Sequence, residues 1–314
     1  FTSIATDVIH VHHLIGLGAE IPPILAAGSP NAPIVYTHHD AWSVCLADGQ
    51  LLRADSGLYC TERNGVACSR CNAARGNPID ERVIFSRNLM SKHLLSRFVQ
   101  SHYSPSEYFA RRISRDLGVR VDVLPNISPP VPATRSDRDR ELPRTRLGYF
   151  GQLTERKGIL SLIAAVGRYN EGNPDRPVSL DIYGNGPLHE RVSEITGAEP
   201  HIDYHGAYPA HRASALMQRV DWVCLPSLWP EVSPIVLHEA LAAGTPMIVS
   251  RAGGKQEHVA FDRNAIAVED DSTESWVDAI AESQSADRQA AWADYSKWAR
   301  PLFSAEDSLR LTLD

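Results

Sequence analysis

From Arg146 onward the chain repeats one local order: a short apolar run, a glycine-rich turn, then an amphipathic stretch. Arg146–Phe150 reads as a strand and Gly158–Tyr169 as a helix. Val178–Tyr183 reads as a strand ending at Gly184-Asn-Gly, with a helix over Pro187–Glu194. Pro209–Arg219 reads as a helix, Asp221–Leu225 as a buried strand and Met247–Ser250 as another strand. Strands separated by helices pair in parallel through crossovers, so this half is predicted to be a Rossmann-like α/β domain.

The first half follows the same order less regularly. Strands are predicted near Val8–His12, Ile34–His38, Ser101–Ser104 and Val121–Leu124, with helices near Leu14–Ala27, Asp80–Phe98 and Ser106–Leu117. Pro125–Arg144 holds five prolines and many charges with no apolar period, which is the composition of a linker. A chain of 314 residues exceeds the ~100–200 expected per domain, so two domains are predicted. Their bounds are 1–130, a linker over 131–145, and 146–290, with helices over 291–314 that pack back toward the first domain.

The hydrophobic fraction of 43% and charged fraction of 22% are those of an ordinary globular enzyme. No apolar run approaches the ~20 residues of a membrane span and no signal peptide opens the chain, so the simplest location is the cytoplasm. A net charge of −7 argues against nucleic acid as a partner. Residues 75–120 run the other way: nine basic residues, Arg75, Arg82, Arg87, Lys92, Arg97, Arg111, Arg112, Arg115 and Arg120, face four acids. Such a basic helical region suits peripheral contact with anionic lipid, and equally a solvated helix face.

The sharpest chemical signal lies between Trp229 and Gly244. Ser233 is placed to cap a helix, Pro234 suits its first position, and Gly244 can end it in a left-handed conformation. The free amides of Ile235 and Val236 then face outward between Glu231 and Glu239, and the helix dipole there favours a phosphate.

With these residues the chain resembles the retaining family 4 glycosyltransferases of GT-B fold. The likeness extends through Asp7-Val-Ile-His-Val-His-His, Thr37-His-His-Asp-Ala-Trp, Ser104-Pro-Ser-Glu-Tyr, Val123-Leu-Pro-Asn, Gly148-Tyr-Phe-Gly-Gln-Leu-Thr-Glu-Arg-Lys-Gly, Tyr183-Gly-Asn-Gly-Pro and Gly253-Gly-Lys-Gln-Glu. It implies two Rossmann-like domains facing a cleft. The amino-terminal, acceptor-side domain is expected to be incomplete, because members begin with an extra strand and glycine-rich loop ahead of the Asp7 strand. The carboxyl-terminal domain is implied to bind the nucleotide sugar.

The resemblance assigns Glu239 to the ribose and Glu231 to the donor sugar's hydroxyls, a task carboxylates suit because each accepts from two neighbouring hydroxyls. It places Lys157 on the departing diphosphate. Where the family often has a second cation this chain has Gln152, and Arg156 is the candidate substitute, with a solvated loop charge as the alternative. His39 matches the histidine that approaches the sugar, and Gly253 and Gly254 form the loop facing the donor. The implied reaction moves a hexose from a nucleotide-diphosphate sugar to a glycan or lipid-linked acceptor in cell-envelope polysaccharide synthesis, with retention of configuration. No catalytic metal is implied, because Lys157 and the helix amides do the ion's work. A truncated or inactive nucleotide-sugar binder, and a sugar-nucleotide epimerase on the same frame, are the alternatives.

His10, His12 and His13 precede His39 and could make a metal site or an edge-of-core cluster. Cys45, Cys60, Cys68 and Cys71 form a separate group ending in Cys-x-x-Cys. In a cytoplasmic protein it reads as a structural zinc site rather than disulfides, with unligated thiols as the alternative. Cys224, within an apolar strand, reads as a core residue.

Overall fold

The computed structural model describes residues 6–47, 49–61, 65–127, 145–261, 263–270 and 272–288. The predicted linker, apart from Thr145, and the helices predicted over 291–314 lie outside the described residues. Among the described residues the chain divides into two compact units, one running to Asn126 and including Trp229–Ser233, the other comprising Ile127–Leu228 and 234–288. The sequence pattern predicts 146–290 as a single domain. The excursion at Trp229–Ser233 corrects this, since Val232 is buried in the amino-terminal core and the Ser233 carbonyl accepts from Asn126 Nδ2 at 3.0 Å.

The amino-terminal unit carries a four-stranded parallel sheet in the order β1 (Ile9–Val11), β2 (Ile34–Thr37), β3 (Ser101–Ser104), β4 (Asp122–Val123). Its helices are α1 (Ile21–Gly28), α2 (Gly65–Ala74), α3 (Glu81–Phe98) and α4 (Glu107–Leu117). Asp80 caps α3 by accepting from the Arg82 amide at 2.8 Å. Helix α1 is shorter than the predicted Leu14–Ala27. Gly16 and Gly18 turn the chain before it, and Pro22 and Pro23, which lack amide hydrogens, fit only its first turn. Ile34, Tyr36, Leu95, Phe109, Ile113 and Leu117 form the centre of this core.

The second unit carries a six-stranded parallel sheet in the order β10-β9-β8-β5-β6-β7. The strands are β5 (Arg146–Phe150), β6 (Ser179–Tyr183), β7 (Ile202–Gly206), β8 (Trp222–Leu225), β9 (Met247–Ser250) and β10 (Ala265–Val268). Helices α5 (Ile159–Gly172), α6 (His189–Thr196), α7 (Ala213–Met217), α8 (Ile235–Ala243) and α9 (Thr273–Ser283) connect or flank them. Leu147, Leu162, Val166, Leu180, Ile248 and Trp276 belong to one core cluster, and Val223, Leu237, Leu241 and Val249 to another. The GT-B expectation holds, with two Rossmann-like parallel sheets. Among the described residues, no helix is long and apolar enough to cross a membrane.

The strand order fixes where a ligand can bind in this unit. The chain winds from β5 outward to β7, then returns to the other side of β5 as β8 and winds on to β10. The loops after β5 and β8 therefore leave in opposite directions, and a crevice opens at the carboxyl ends of these two strands.

Candidate functional site

Three loops meet the carboxyl edge of the β5–β8–β9 portion of the sheet. The loop after β5 is held from both sides: the Leu153 amide donates to Asn185 O at 3.0 Å, and the Leu228 amide donates to Arg156 O at 2.9 Å. Two glycines permit this closeness. A Cβ on Gly184 would lie 1.7 Å from Gly151 O, and one on Gly158 would lie 1.9 Å from Pro226 O. Arg156 and Lys157 are half-buried on the single 3₁₀ turn Glu155–Lys157, and Gln152 is exposed. Two cations and one neutral hydrogen-bonding side chain thus line the loop after β5.

Helix α8 follows β8, so its amino terminus lies on the same carboxyl edge. The predicted cap is off by one residue. Pro234, at φ −68° and ψ 130°, occupies the N-cap position and no side chain caps the helix. A proline holds this extended conformation without strain and brings no amide of its own. Ser233 instead stands in the segment that packs with the other unit. The Leu237 amide turns back to Pro234 O at 3.0 Å, while those of Ile235 and Val236 have no acceptor among the described residues. These two donors, at the positive end of the α8 dipole, form an anion seat.

Glu239 lies one turn further along α8, half-buried, and burial raises its carboxyl pKa. Tyr208 is its electrostatic neighbour, with a phenol pushed up to about 12 by burial first and by Glu239 second. That ring stands edge-on to Phe150 at 5.7 Å and to Tyr183 at 6.2 Å, and Phe150 and Tyr183 stack at 4.9 Å. Sequence reasoning missed Tyr208, which sits beyond β7 in a stretch with no strand or helix period.

The loop after β9 holds Gly253 and Gly254, both buried, and continues as the 3₁₀ turn Gly254–His258. Lys255 was also missed. It is 0% exposed, and its Nζ donates to Ser250 Oγ at 2.7 Å and to Ser227 O at 3.3 Å. A lysine is seldom so buried unless it is satisfied. Here the ammonium ties the loop after β8 to the end of β9, and the signal that could have found it is its place directly after the paired glycines.

The remaining predicted residues belong to the amino-terminal unit. Glu231 is 4% exposed, within the Trp229–Ser233 segment. His39 follows β2, and its Nε2 meets His12 Nδ1 at 3.0 Å. Burial, then His12, His10 and His13, lower the His39 pKa, so the ring is neutral at pH 7. His10 Nε2 bonds Thr37 Oγ1 at 2.8 Å, and the His10 and His12 rings lie 4.1 Å apart. The imidazoles bond one another and Thr37, and among the described residues no group of three or more His, Cys, Asp or Glu stands at metal-ligand spacing. The basic stretch is also more committed than its count suggests: Arg87 donates to Trp42 O, Arg112 pairs with Asp116 at 2.7 Å, and Arg111 and Arg120 pair with Glu107 and Asp122.

Two buried histidines, one in each unit, set an acid limit. His102 and His238 are each lowered to about 4, mainly by burial. The unfolded chain takes up these protons near the ordinary pKa of ~6.5 whereas the folded chain does so near 4, so protons favour unfolding throughout that window. Thermal melts are expected to be level above pH 7, to fall progressively between pH 6.5 and 4, and to recover part of the loss in His238→Gln.

Residues 144–284 match the family model described as Glycosyl transferases group 1. That segment begins just before β5 and ends after α9, and so contains every site element of the second unit. D-inositol 3-phosphate glycosyltransferase of Corynebacterium urealyticum is 29% identical over 174 residues, covering 52% of this chain and 41% of that protein. The chain thus spans about two fifths of the length of this curated relative. Among solved structures, sucrose-phosphate synthase from Thermosynechococcus elongatus superposes with a TM-score of 0.70 at 17% identity, covering 98% of this chain and 72% of that one. Anabaena HepE in complex with UDP-glucose gives 0.67 at 18%, covering 98% and 77%. At these identities the structural likeness establishes the fold.

Proposed function

We propose that this chain is the catalytic part of a retaining hexosyltransferase that takes a nucleotide-diphosphate sugar as donor. The observation that carries the reading is the anion seat of Ile235 and Val236 on the same sheet edge as Arg156 and Lys157, inside the segment matching group 1 glycosyl transferases. A diphosphate bound there meets two amide donors and a lysine, which supply charge stabilisation at the leaving oxygen without a metal ion. Glu239 is assigned to the ribose. Glu231 and His39 are carried forward for the sugar, as the family resemblance assigns them.

The acceptor is proposed to be a glycan or a lipid-linked glycan in cell-envelope polysaccharide synthesis, handled by a cytoplasmic protein at the inner face of the membrane. Helix α3 supports peripheral contact, since Val83, Phe85, Leu89 and Met90 are exposed beside Arg82 and Arg97. The alternative of a binder without turnover is favoured by the neutral, exposed Gln152 at the position where the family resemblance implies a second cation.

Calorimetry with UDP, GDP and ADP, followed by hydrolysis assays with the corresponding sugars, tests the proposal. One nucleotide is expected to bind, and Glu239→Ala to weaken it by about 10- to 100-fold, the value of one or two hydrogen bonds to a charged acceptor. Unchanged affinity in the variant removes the ribose assignment. Binding with no release of free nucleotide diphosphate in any donor assay supports the inactive binder.

A further inference from the structure

The structure brings together four thiols that the donor site does not use. Cys45 follows the turn at Ala41, Cys60 stands beside the Leu52–Tyr59 bridge, and Cys68 and Cys71 share one face of α2. Though up to 26 positions apart in sequence, all four line a single cavity of about 20 Å³, together with Leu52, Arg53 and Ala67. All are unbridged.

Polar groups reach three of the sulfurs. The Ala54 amide donates to Cys71 Sγ at 3.3 Å, and the Arg112 guanidinium, paired with Asp116, also reaches Cys60 Sγ at 4.0 Å; burial raises the Cys45 thiol pKa, and amides of Leu51 and Ala47 oppose that rise. Arg53, paired with Asp55 at 2.6 Å, also lines the cavity. Hydrogen bonds and positive charge directed at sulfur offset the excess negative charge of several thiolates held close together. Helix α2 buries little, with Cys71 and Asn72 its buried side chains among the described residues, and hydrogen bonds from Ser69 Oγ to Ile79 O at 2.7 Å and from Arg75 to Leu52 O at 3.2 Å tie it to its neighbours.

We propose that Cys45, Cys60, Cys68 and Cys71 bind one zinc ion as a tetrathiolate that fastens segment 45–60 to α2. Four sulfurs, a Cys-x-x-Cys on one helix and no open ligand position are the features of a closed structural site. The sulfurs do not yet stand at ligand spacing, so the ion draws them inward by side-chain rotation as their protons leave. This site is independent of the proposed transfer activity.

The full chain, purified under reducing conditions without added chelator, is analysed for metal by mass spectrometry. About one zinc per chain is expected, falling below a tenth in Cys68→Ser/Cys71→Ser and unchanged in Cys224→Ser. Should the double variant fail to fold, the unaltered protein supplies the second arm. A mercurial thiol reagent is expected to release its zinc stoichiometrically, and cobalt refilling to give thiolate charge-transfer bands and tetrahedral d–d bands. Zinc below a tenth of an equivalent with no such cobalt spectrum overturns the proposal, as does a disulfide among these four residues in the native protein.

Discussion

Replacing Lys157 by methionine is expected to lower the rate of the proposed glycosyl transfer by about 10²- to 10³-fold while leaving the fold intact. The departing diphosphate gains charge as the glycosidic bond breaks, and a fixed donor aimed at that charge is worth most when the transition state is reached. Lys157 is half-buried on a 3₁₀ turn whose neighbours are pinned by main-chain bonds to the loops after β6 and β8, so the backbone that carries it is held in place. The methionine keeps most of the aliphatic stem and removes the charge. Single-turnover kinetics should show the loss in the chemical step, with nucleotide affinity changed by less than about tenfold and the melting temperature by at most a few degrees. A rate within fivefold of the parent would remove Lys157 from the chemistry and leave Arg156 as the cation to test.

Changing Gly158 to alanine is expected to cost roughly 3 to 5 kcal/mol, a fall of about 10 °C in melting temperature for a unit of this size. Two penalties add at this position. The backbone is left-handed at φ +70°, and the new methyl would stand 1.9 Å from the Pro226 carbonyl oxygen. Gly206 separates the two terms, because its φ of +74° is the same and nothing lies within 4 Å of a Cβ there. Gly206→Ala should therefore lose only ~1 to 2 kcal/mol, the left-handed term alone. Nearly equal losses in the two variants would show that the loops after β5 and β8 separate readily and do not form a rigid ligand edge. A loss of nucleotide affinity in Gly158→Ala at temperatures where it is still folded is the companion result, since the displaced loop carries Arg156 and Lys157.

Much of the second unit was legible because β5, β6, β8 and β9 are short apolar runs, the first two closed by glycines, whereas β7, β10 and α9 were not predicted. β5 was read to the residue, and β6 and β8 to within one. The amino-terminal unit was less so. Helix α2 has no apolar stripe and was not seen, since its contacts run through cysteines and an asparagine rather than through aliphatic side chains. Helix α7 came out shorter than Pro209–Arg219, because the chain from Ala210 to Arg212 winds as a 3₁₀ turn before the α-helix begins. At the site, the anion seat followed from local rules about helix ends, whereas Tyr208 and Lys255 did not. Their placement depends on strand order, which brings the ends of β7 and β9 toward residues distant in sequence, and no local rule carries that information.

The passage of Trp229–Ser233 into the other unit bears on how this protein can be divided. Severing the gene between β4 and β5 would yield a carboxyl-terminal piece bearing Val232 without the apolar neighbours that enclose it, and an amino-terminal piece with a hole where that valine belongs. Neither half is self-sufficient under such a cut. Grafting a foreign amino-terminal half onto this one would require the donor of that half to accept the same five-residue insertion, so exchange between relatives is constrained at Trp229–Ser233 as well as at the connection before Arg146.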